Sequence, residues 1–187
     1  MRFSRRSDID PFIVMDVMEA ARAAEAPDGA WPDGVIHMEV GQPGTGAPVK
    51  AREAAAKAVM SEALGYTVAL GLPELRERIS RLYYEWYGLD VPASRIVVTA
   101  GSSAAFLLAF LACFEAGDRI ATVAPGYPSY RNILKALGLD VAELPGAENA
   151  DWRATAALFD AAGDFDGALV ASPSNPTGSM LDGKVLA

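Results

Sequence analysis

The second half of the chain alternates between short β-branched and apolar runs and longer segments with helical spacing. The short runs predict four strands, at residues 95–99, 119–123, 140–144 and 167–171. The stretches between them predict helices, at residues 102–114, 129–137 and about 151–161. Strands that alternate with helices of about ten or more residues are typical of an α/β domain with a parallel sheet covered by helices.

The first half of the chain predicts mostly helices. Apolar periodicity from Pro11 predicts a first helix that ends before the turn residues 26–29. Residues 48–64 and 74–87 predict two more helices, and Gly88 is the expected stop of the second. A short run at residues 35–40 predicts one further strand, which the glycines and proline of residues 41–44 end.

Composition and charge exclude two classes of binding partner. The chain has 187 residues, 51% of them hydrophobic, and a formal net charge of −8. An acidic chain lacks the basic face that nucleic acids require, and no apolar run approaches the roughly 18 residues of a membrane span. We therefore expect neither a nucleic-acid nor a membrane partner.

The chain has one cysteine and one histidine, which excludes an internal disulfide and a histidine-rich metal site. Cys113 cannot form a disulfide within the chain, and the start lacks a signal-peptide core, so the sequence favours a cytoplasmic protein. Cys113 follows an apolar run and is expected to be buried rather than a nucleophile. His37 is the only histidine, so we predict no metal site.

Three of the predicted strands end in loops that could bind a ligand, because ligands of parallel α/β sheets sit beyond the carboxyl ends of the strands. Gly101, Ser102 and Ser103 stand where a helix begins, which favours an anion site, although a simple serine cap explains them equally well. Tyr127 lies between Gly126 and a proline, and it either stacks on a planar ligand or packs locally in a tight turn.

Asn175 is the candidate in the third loop. Two prolines restrict the backbone on either side of it, so its amide is aimed at little entropic cost. Such an amide suits a phenolate-like oxygen, and the alternative is an Asx turn that closes the loop.

Taken in order, five stretches of the chain resemble the class I/II aminotransferases of the aspartate aminotransferase superfamily. The most specific are Gly-Leu-Pro-Glu-Leu-Arg at residues 71–76 and Asn-Pro-Thr-Gly at residues 175–178, while Val-Gly-Gln-Pro replaces the usual Gly-Glu-Pro at residues 40–43. The others are residues 65–67, which precede the first of these motifs, residues 98–102, and residues 116–118 with 125–130.

The resemblance implies an enzyme that uses pyridoxal 5'-phosphate (PLP) to move an amino group between an amino acid and a 2-oxo acid. It implies the large domain of fold type I, a mixed, mostly parallel sheet with helices on both faces. In that family Gly101, Ser102 and Ser103 match the stretch that holds the PLP phosphate. Tyr127 matches the aromatic ring that stacks on the pyridine ring, and Asn175 matches the amide that binds the ring hydroxyl oxygen.

The resemblance also implies a homodimer and a substrate site. Tyr66 matches a tyrosine that reaches the phosphate of the neighbouring subunit, and Gly41 falls where the backbone approaches the substrate carboxylate. Arg76 belongs to a family motif, but its place on a predicted helix favours a structural role over ligand binding.

The family's Schiff-base lysine, pyridine-binding acid and distal arginine all follow Asn-Pro-Thr-Gly, and this chain has none in that context. We therefore assign no catalytic residue among its lysines, which are Lys50, Lys57, Lys135 and Lys184. We expect a fragment that is inactive alone and truncated before the lysine-bearing half. Residues 1–45 would form the N-terminal arm and part of the small domain, and residues 46–187 the first half of the large domain.

Two kinds of alternative function stay open. A PLP-dependent C–S β-lyase or decarboxylase uses the same fold, and the sequence does not separate these reactions from transamination. A non-catalytic, aminotransferase-like sensing domain is the other alternative. It is disfavoured because the chain begins almost directly with the family's first helix and is acidic.

Overall fold

The computed structural model describes residues 3–148, 151–181 and 183. The chain divides into two compact units. One combines Met1–Phe12 with Ala100–Ala187, and the other is Ile13–Thr99. No helix in these described ranges is long and apolar enough to cross a membrane.

The first unit contains a parallel sheet. Its strands are β1 (Arg119–Ala124), β2 (Asp140–Pro145) and β3 (Gly167–Leu169), in the spatial order β2-β1-β3, and both pairings are parallel. Its helices are α4 (Gly101–Cys113), α5 (Pro128–Leu137) and α6 (Ala156–Asp160). The predicted α/β class with a parallel sheet is confirmed, since each crossover between these strands carries a helix.

The core of this unit lies between the sheet and two helices. Ile120 of the central strand and Leu134 of α5 are almost completely buried, and Phe110 of α4 and Leu139 complete the cluster. Hydrophobic burial is the dominant favourable term in folding, and a side chain such as Leu134 contributes about 1.5–3 kcal/mol when it leaves water.

Helices α4 and α5 both start at the carboxyl edge of the sheet. Helix α5 begins directly after β1 ends, and α4 ends shortly before β1 begins. The ring of Phe106, early in α4, lies 5.0 Å from the ring of Tyr130, early in α5. At the other end of α4, a Cβ on Gly167 would overlap the ring of Phe114. The N-termini of both helices therefore face the same edge of the sheet.

The second unit is built from three helices, α1 (Ile13–Ala24), α2 (Val49–Ser61) and α3 (Pro73–Tyr87), and a short 3-10 helix, Ala93–Arg95. Arg76 on α3 donates from Nε to the carbonyls of Ala93 and Ile96, at 3.1 and 3.0 Å, and from Nη2 to Ala93 at 2.7 Å. The predicted structural role of Arg76 is confirmed.

Gly71 is the first residue of the Gly-Leu-Pro-Glu-Leu-Arg motif, which ends with Arg76. Its φ is +96°, and an added Cβ would lie 2.6 Å from Cβ and Cγ2 of Val98. The backbone N–H of Val98 donates to Leu70, at 3.0 Å. A side chain at residue 71 would be strained by the positive φ and would collide with Val98, so the position requires glycine.

Two of the predicted strands are wrong, because the structure has no strand at either place. Residues 35–40 and 95–99 form no ladder with the described residues, although Ile96 has extended dihedrals, φ −104° and ψ 126°. A β-branched run favours an extended backbone, but a strand also needs a partner, which the run itself does not specify. The predicted helix at about residues 151–161 is shorter, because α6 begins only after Thr155, whose Oγ1 accepts from the N–H of Leu158.

Cys113 is exposed, which corrects the prediction that it is buried. Helix α4 is apolar on all sides, and Leu107, Leu108 and Leu111 are exposed along it, as is Cys113, its last residue. An apolar run predicts burial, but it does not tell which of its residues the neighbouring elements cover. The predicted domain boundary at residue 45 stays a prediction, and the compact units divide elsewhere.

Candidate functional site

A cavity of about 220 Å³ opens at the carboxyl edge of the sheet. Its walls come from the end of β1 and the turn before α5, from the segment after β2, and from the segment after β3. Tyr127 and Asn175 both line it, although they belong to different loops. This is the place where parallel α/β sheets bind ligands.

Tyr127 is half-buried and is held by two other aromatic rings. Its ring centroid lies 5.4 Å from that of Tyr130, with an interplanar angle of 84°, and 6.2 Å from that of Phe12, at 89°. Both contacts are edge-to-face, a favoured geometry for aromatic pairs. The ring therefore packs locally, and it also lines the cavity, so stacking on a planar ligand stays a prediction.

Asn175 lies at the tip of a loop that is closed by other groups. The N–H of Gly178 donates to the carbonyl of Ser174 at 2.7 Å, and the N–H of Ser174 donates to the carbonyl of Ser179 at 2.9 Å. Within the described part of the chain, the side chain of Asn175 makes no hydrogen bond of its own. The Asx-turn alternative is therefore not observed, and Asn175 is an exposed residue that lines the cavity.

Gly101, Ser102 and Ser103 form the first turn of α4 and do not line the cavity. The N-cap is Ala100, which has no side-chain acceptor, so no serine caps the helix. Gly101 has a φ of +80°, and the position of a Cβ on it is open space. This first turn has the backbone donors and the dipole direction of an anion site.

A chain of ring contacts connects this turn to the cavity. Ser102 stands one helical turn before Phe106 on the same face of α4. Phe106 contacts Tyr130 with a centroid distance of 5.0 Å, and Tyr130 contacts Tyr127 at 5.4 Å. The predicted phosphate-binding turn and the predicted stacking ring therefore lie on one side of the first unit.

Gly41 and Tyr66 belong to the second compact unit, and both are exposed. Tyr66 is fully exposed, and no atom would contact a Cβ on Gly41 within 4 Å. Their predicted roles stay predictions.

The polar or aromatic cavity residues that were not predicted from the sequence include Arg131, Glu143, Trp152 and Arg153. Arg131 Nη1 donates to Glu143 Oε2 at 3.2 Å. Arg131 follows Tyr127 by one helical turn, so helical spacing could have indicated it. Trp152 has a φ of +57°, a conformation that nothing in its sequence context predicts.

The three lysines that the structure describes do not line the cavity. Lys50, Lys57 and Lys135 are absent from its lining, and Lys184 lies outside the described residues. Lys135 instead donates to Asp10 Oδ2 at 2.8 Å.

His37 in the second unit bridges two carboxylates. Its Nδ1 lies 2.7 Å from Glu39 Oε1, and its Nε2 lies 3.0 Å from Glu25 Oε1, which also accepts from the N–H of Val35. A neutral imidazole donates from one nitrogen only, so the imidazolium alone satisfies both contacts. The hydrogen bond to Glu39, followed by that to Glu25, raises the pKa of His37 above its ordinary 6.5.

We expect the His37 pKa to lie above 6.5 in a proton NMR titration, with the His37 signal assigned by its absence in a His37→Gln variant. A raised folded-state pKa means that the stabilisation is fully present below pH 6.5 and is lost as the pH rises through the folded pKa. Glu39→Gln removes the first cause and should lower the His37 pKa. A wild-type value at or below 6.5 would contradict the bridge.

Comparisons with known proteins indicate the same family as the sequence motifs and the fold. The family described as aminotransferase class I and II matches residues 33–186. A valine–pyruvate aminotransferase from Mycobacterium tuberculosis is 45% identical over the whole chain, which covers 47% of that protein. The predicted resemblance to class I/II aminotransferases is thereby confirmed.

Solved structures give the same result. A crystal structure of an aminotransferase from Mycobacterium tuberculosis superposes with a TM-score of 0.92 at 44% identity, covering all of this chain and 47% of the other. Alanine aminotransferase from Pyrococcus furiosus superposes with a TM-score of 0.86 at 29% identity, covering 99% and 47%. The predicted fold-type-I class is confirmed.

The chain spans about half the length of the curated relatives that it matches. A chain that extends over the whole length of these relatives is called the full-length protein below. The family match covers most of the 187 residues and includes all the predicted cofactor-binding residues. The chain belongs to the aminotransferase class I and II family.

Proposed function

We propose that the full-length protein is a PLP-dependent aminotransferase that moves an amino group between an amino acid and a 2-oxo acid. The observation that carries the proposal is the shared cavity of Tyr127 and Asn175 at the carboxyl edge of the sheet. These two residues come from loops after different strands, and both match the family's cofactor-binding positions.

The residues at this edge suit the pyridine ring, the ring hydroxyl group and the phosphate of PLP. The ring of Tyr127 offers a face to a planar pyridine, and the amide of Asn175 offers a donor to a ring hydroxyl oxygen. The first turn of α4 offers backbone donors and a favourable dipole to a phosphate. The open space beside Gly101 leaves room for that group where a Cβ would fill it.

When bound, PLP supplies an electron sink for reactions at the α-carbon of an amino acid. The described residues would bind and orient it. Tyr127, which Tyr130 contacts edge-to-face, would offer its ring face to the pyridine ring. Asn175 would donate its side-chain amide to the ring hydroxyl oxygen. The lysine that completes the chemistry in the family is not assigned in this chain.

The proposal includes a cytoplasmic homodimer in which Tyr66 reaches the phosphate of the neighbouring subunit. Support comes from the fully exposed ring of Tyr66, and from α2 just before it, which buries none of its residues. A large phenolic side chain that no described residue covers suits contact with a second copy.

The test is to incubate the full-length protein and PLP with a panel of amino acids and 2-oxo acids. Because a similar protein is named a valine–pyruvate aminotransferase, valine with pyruvate is the first pair to try. We expect the absorbance of bound PLP to shift with the amino donor and alanine to form from pyruvate. Released thiol or carbon dioxide without amino transfer would favour the lyase or decarboxylase, and no PLP binding would contradict the proposal.

A further inference from the structure

Phe12 contacts Tyr127 without lining the cavity. The two ring centroids are 6.2 Å apart and the planes stand at 89°, whereas the lining of the cavity includes Tyr127 and Tyr130 but not Phe12. Phe12 is half-buried and belongs to the same compact unit as Tyr127. The ring of Phe12 therefore contacts the cavity wall from behind, at Tyr127.

The segment that carries Phe12 is fixed to one face of α5. Lys135 Nζ donates to Asp10 Oδ2 at 2.8 Å, and Arg131 Nε lies 3.5 Å from the same oxygen. The side-chain amide of Asn132 donates to the backbone carbonyl of Asp10 at 3.3 Å. Three residues of α5 thus hold Asp10, two positions before Phe12.

The carboxylate of Asp10 also lies beside a buried nitrogen atom of Arg131. The Nε atom of Arg131 is buried and forms no hydrogen bond with a described residue, so the nearby Asp10 carboxylate compensates its charge. The hydrogen bond from Lys135 lowers the pKa of Asp10 below its ordinary 3.8. The carboxylate is therefore charged near neutral pH.

We propose that Phe12 is a positioning residue that fixes the ring plane of Tyr127, and that Asp10 anchors Phe12 on α5. Tyr130 and Phe12 each stand nearly perpendicular to the ring of Tyr127, at 84° and 89°. Two perpendicular neighbours restrict rotation of the ring about its side-chain bonds, which pre-organises its face for a planar ligand. The proposal rests on the proposed role of Tyr127 in PLP binding.

The test is a double-mutant cycle on PLP binding to the full-length protein. We expect Phe12→Leu to weaken PLP binding by about two- to tenfold, the size of one aromatic pair contact, and Phe12→Tyr to restore it. In a Tyr127→Leu background, Phe12→Leu should cause no further loss, because the partner ring is already absent. Phe3→Leu, on the same segment at 77% exposure, is the matched control.

Two further readouts separate positioning from a loss of folding. The visible circular dichroism of bound PLP should change with Phe12→Leu in the wild-type background and not in the Tyr127→Leu background. Asp10→Asn should give a smaller effect of the same kind, since exposed ion pairs contribute little individually. Thermal unfolding of each variant shows whether the protein remains folded.

The outcomes distinguish this proposal from the proposed function. Equal losses in both backgrounds, or an unchanged PLP affinity in Phe12→Leu, would overturn the role of Phe12 while PLP binding by the wild type stands. A wild type that binds no PLP would overturn the proposed function, and the positioning role with it. The NMR shift of the Tyr127 ring in Phe12→Leu, measured without PLP, tests the ring contact by itself.

Discussion

Replacing Leu134 with alanine should lower the free energy of unfolding by about 2–5 kcal/mol, the range observed for buried leucines. Leu134 is completely buried and packs in one cluster with Phe110, Ile120 and Leu139. Truncation removes apolar contacts and leaves a cavity between α5 and the central strand. The loss is a large part of the roughly 5–15 kcal/mol that stabilises a typical domain.

Urea unfolding of the full-length protein without PLP, followed by circular dichroism, measures this effect. Leu89→Ala is a matched control, because Leu89 is 54% exposed and follows the last turn of α3. The control should change the stability by no more than about 0.5 kcal/mol. Equal effects of the two substitutions would mean that the packing between α5 and β1 is not the core of this unit.

Replacing Tyr127 with alanine should weaken PLP binding by about 1–3 kcal/mol, or about 5- to 150-fold, on the scale measured for nucleobases stacked on aromatic side chains. Alanine removes the face on which the pyridine ring is proposed to lie. Tyr127→Phe keeps the ring and should bind PLP with nearly wild-type affinity. The measurement is a spectroscopic titration of the full-length protein with PLP.

Tyr84→Ala controls for the general loss of a tyrosine ring, since Tyr84 is 67% exposed on α3. It should leave the PLP affinity unchanged. If Tyr127→Ala also binds PLP normally, Tyr127 is a turn residue that packs against Phe12 and Tyr130 and has no role in cofactor binding. An effect of Tyr127→Phe as large as that of alanine would assign the role to the hydroxyl group instead.

The elements that the sequence predicted best are those with strong local signals. Helix α5 begins at Pro128 and ends before Gly138, whose φ is +82°, so proline and glycine mark both ends. Strands β1 and β2 are β-branched or apolar runs between turns. Residues 35–40 gave a similar signal, but His37 there is held by side-chain bonds to Glu25 and Glu39 rather than by a ladder.

The site was predicted only in part, because local sequence signals mark some of its residues and not others. Tyr127 and Asn175 stand in loops whose glycine and proline residues are visible in the sequence, and the structure brings both to one cavity. Glu143 reaches the same cavity because β2 pairs with β1, where it stands opposite Thr122. Trp152 reaches it because the segment after β2 turns back at Gly146, which is buried and packs against the backbone of Trp152. Tertiary packing of this kind leaves no short-range signal.

The central claim is that Ser102, Tyr127 and Asn175 hold one PLP molecule at the carboxyl edge of the sheet. A crystal structure of the full-length protein with PLP tests it most directly. We predict the pyridine ring against Tyr127, its hydroxyl oxygen at the Asn175 amide, and the phosphate at the first turn of α4. PLP bound elsewhere, with Tyr127 and Asn175 free of contact to it, would contradict the account.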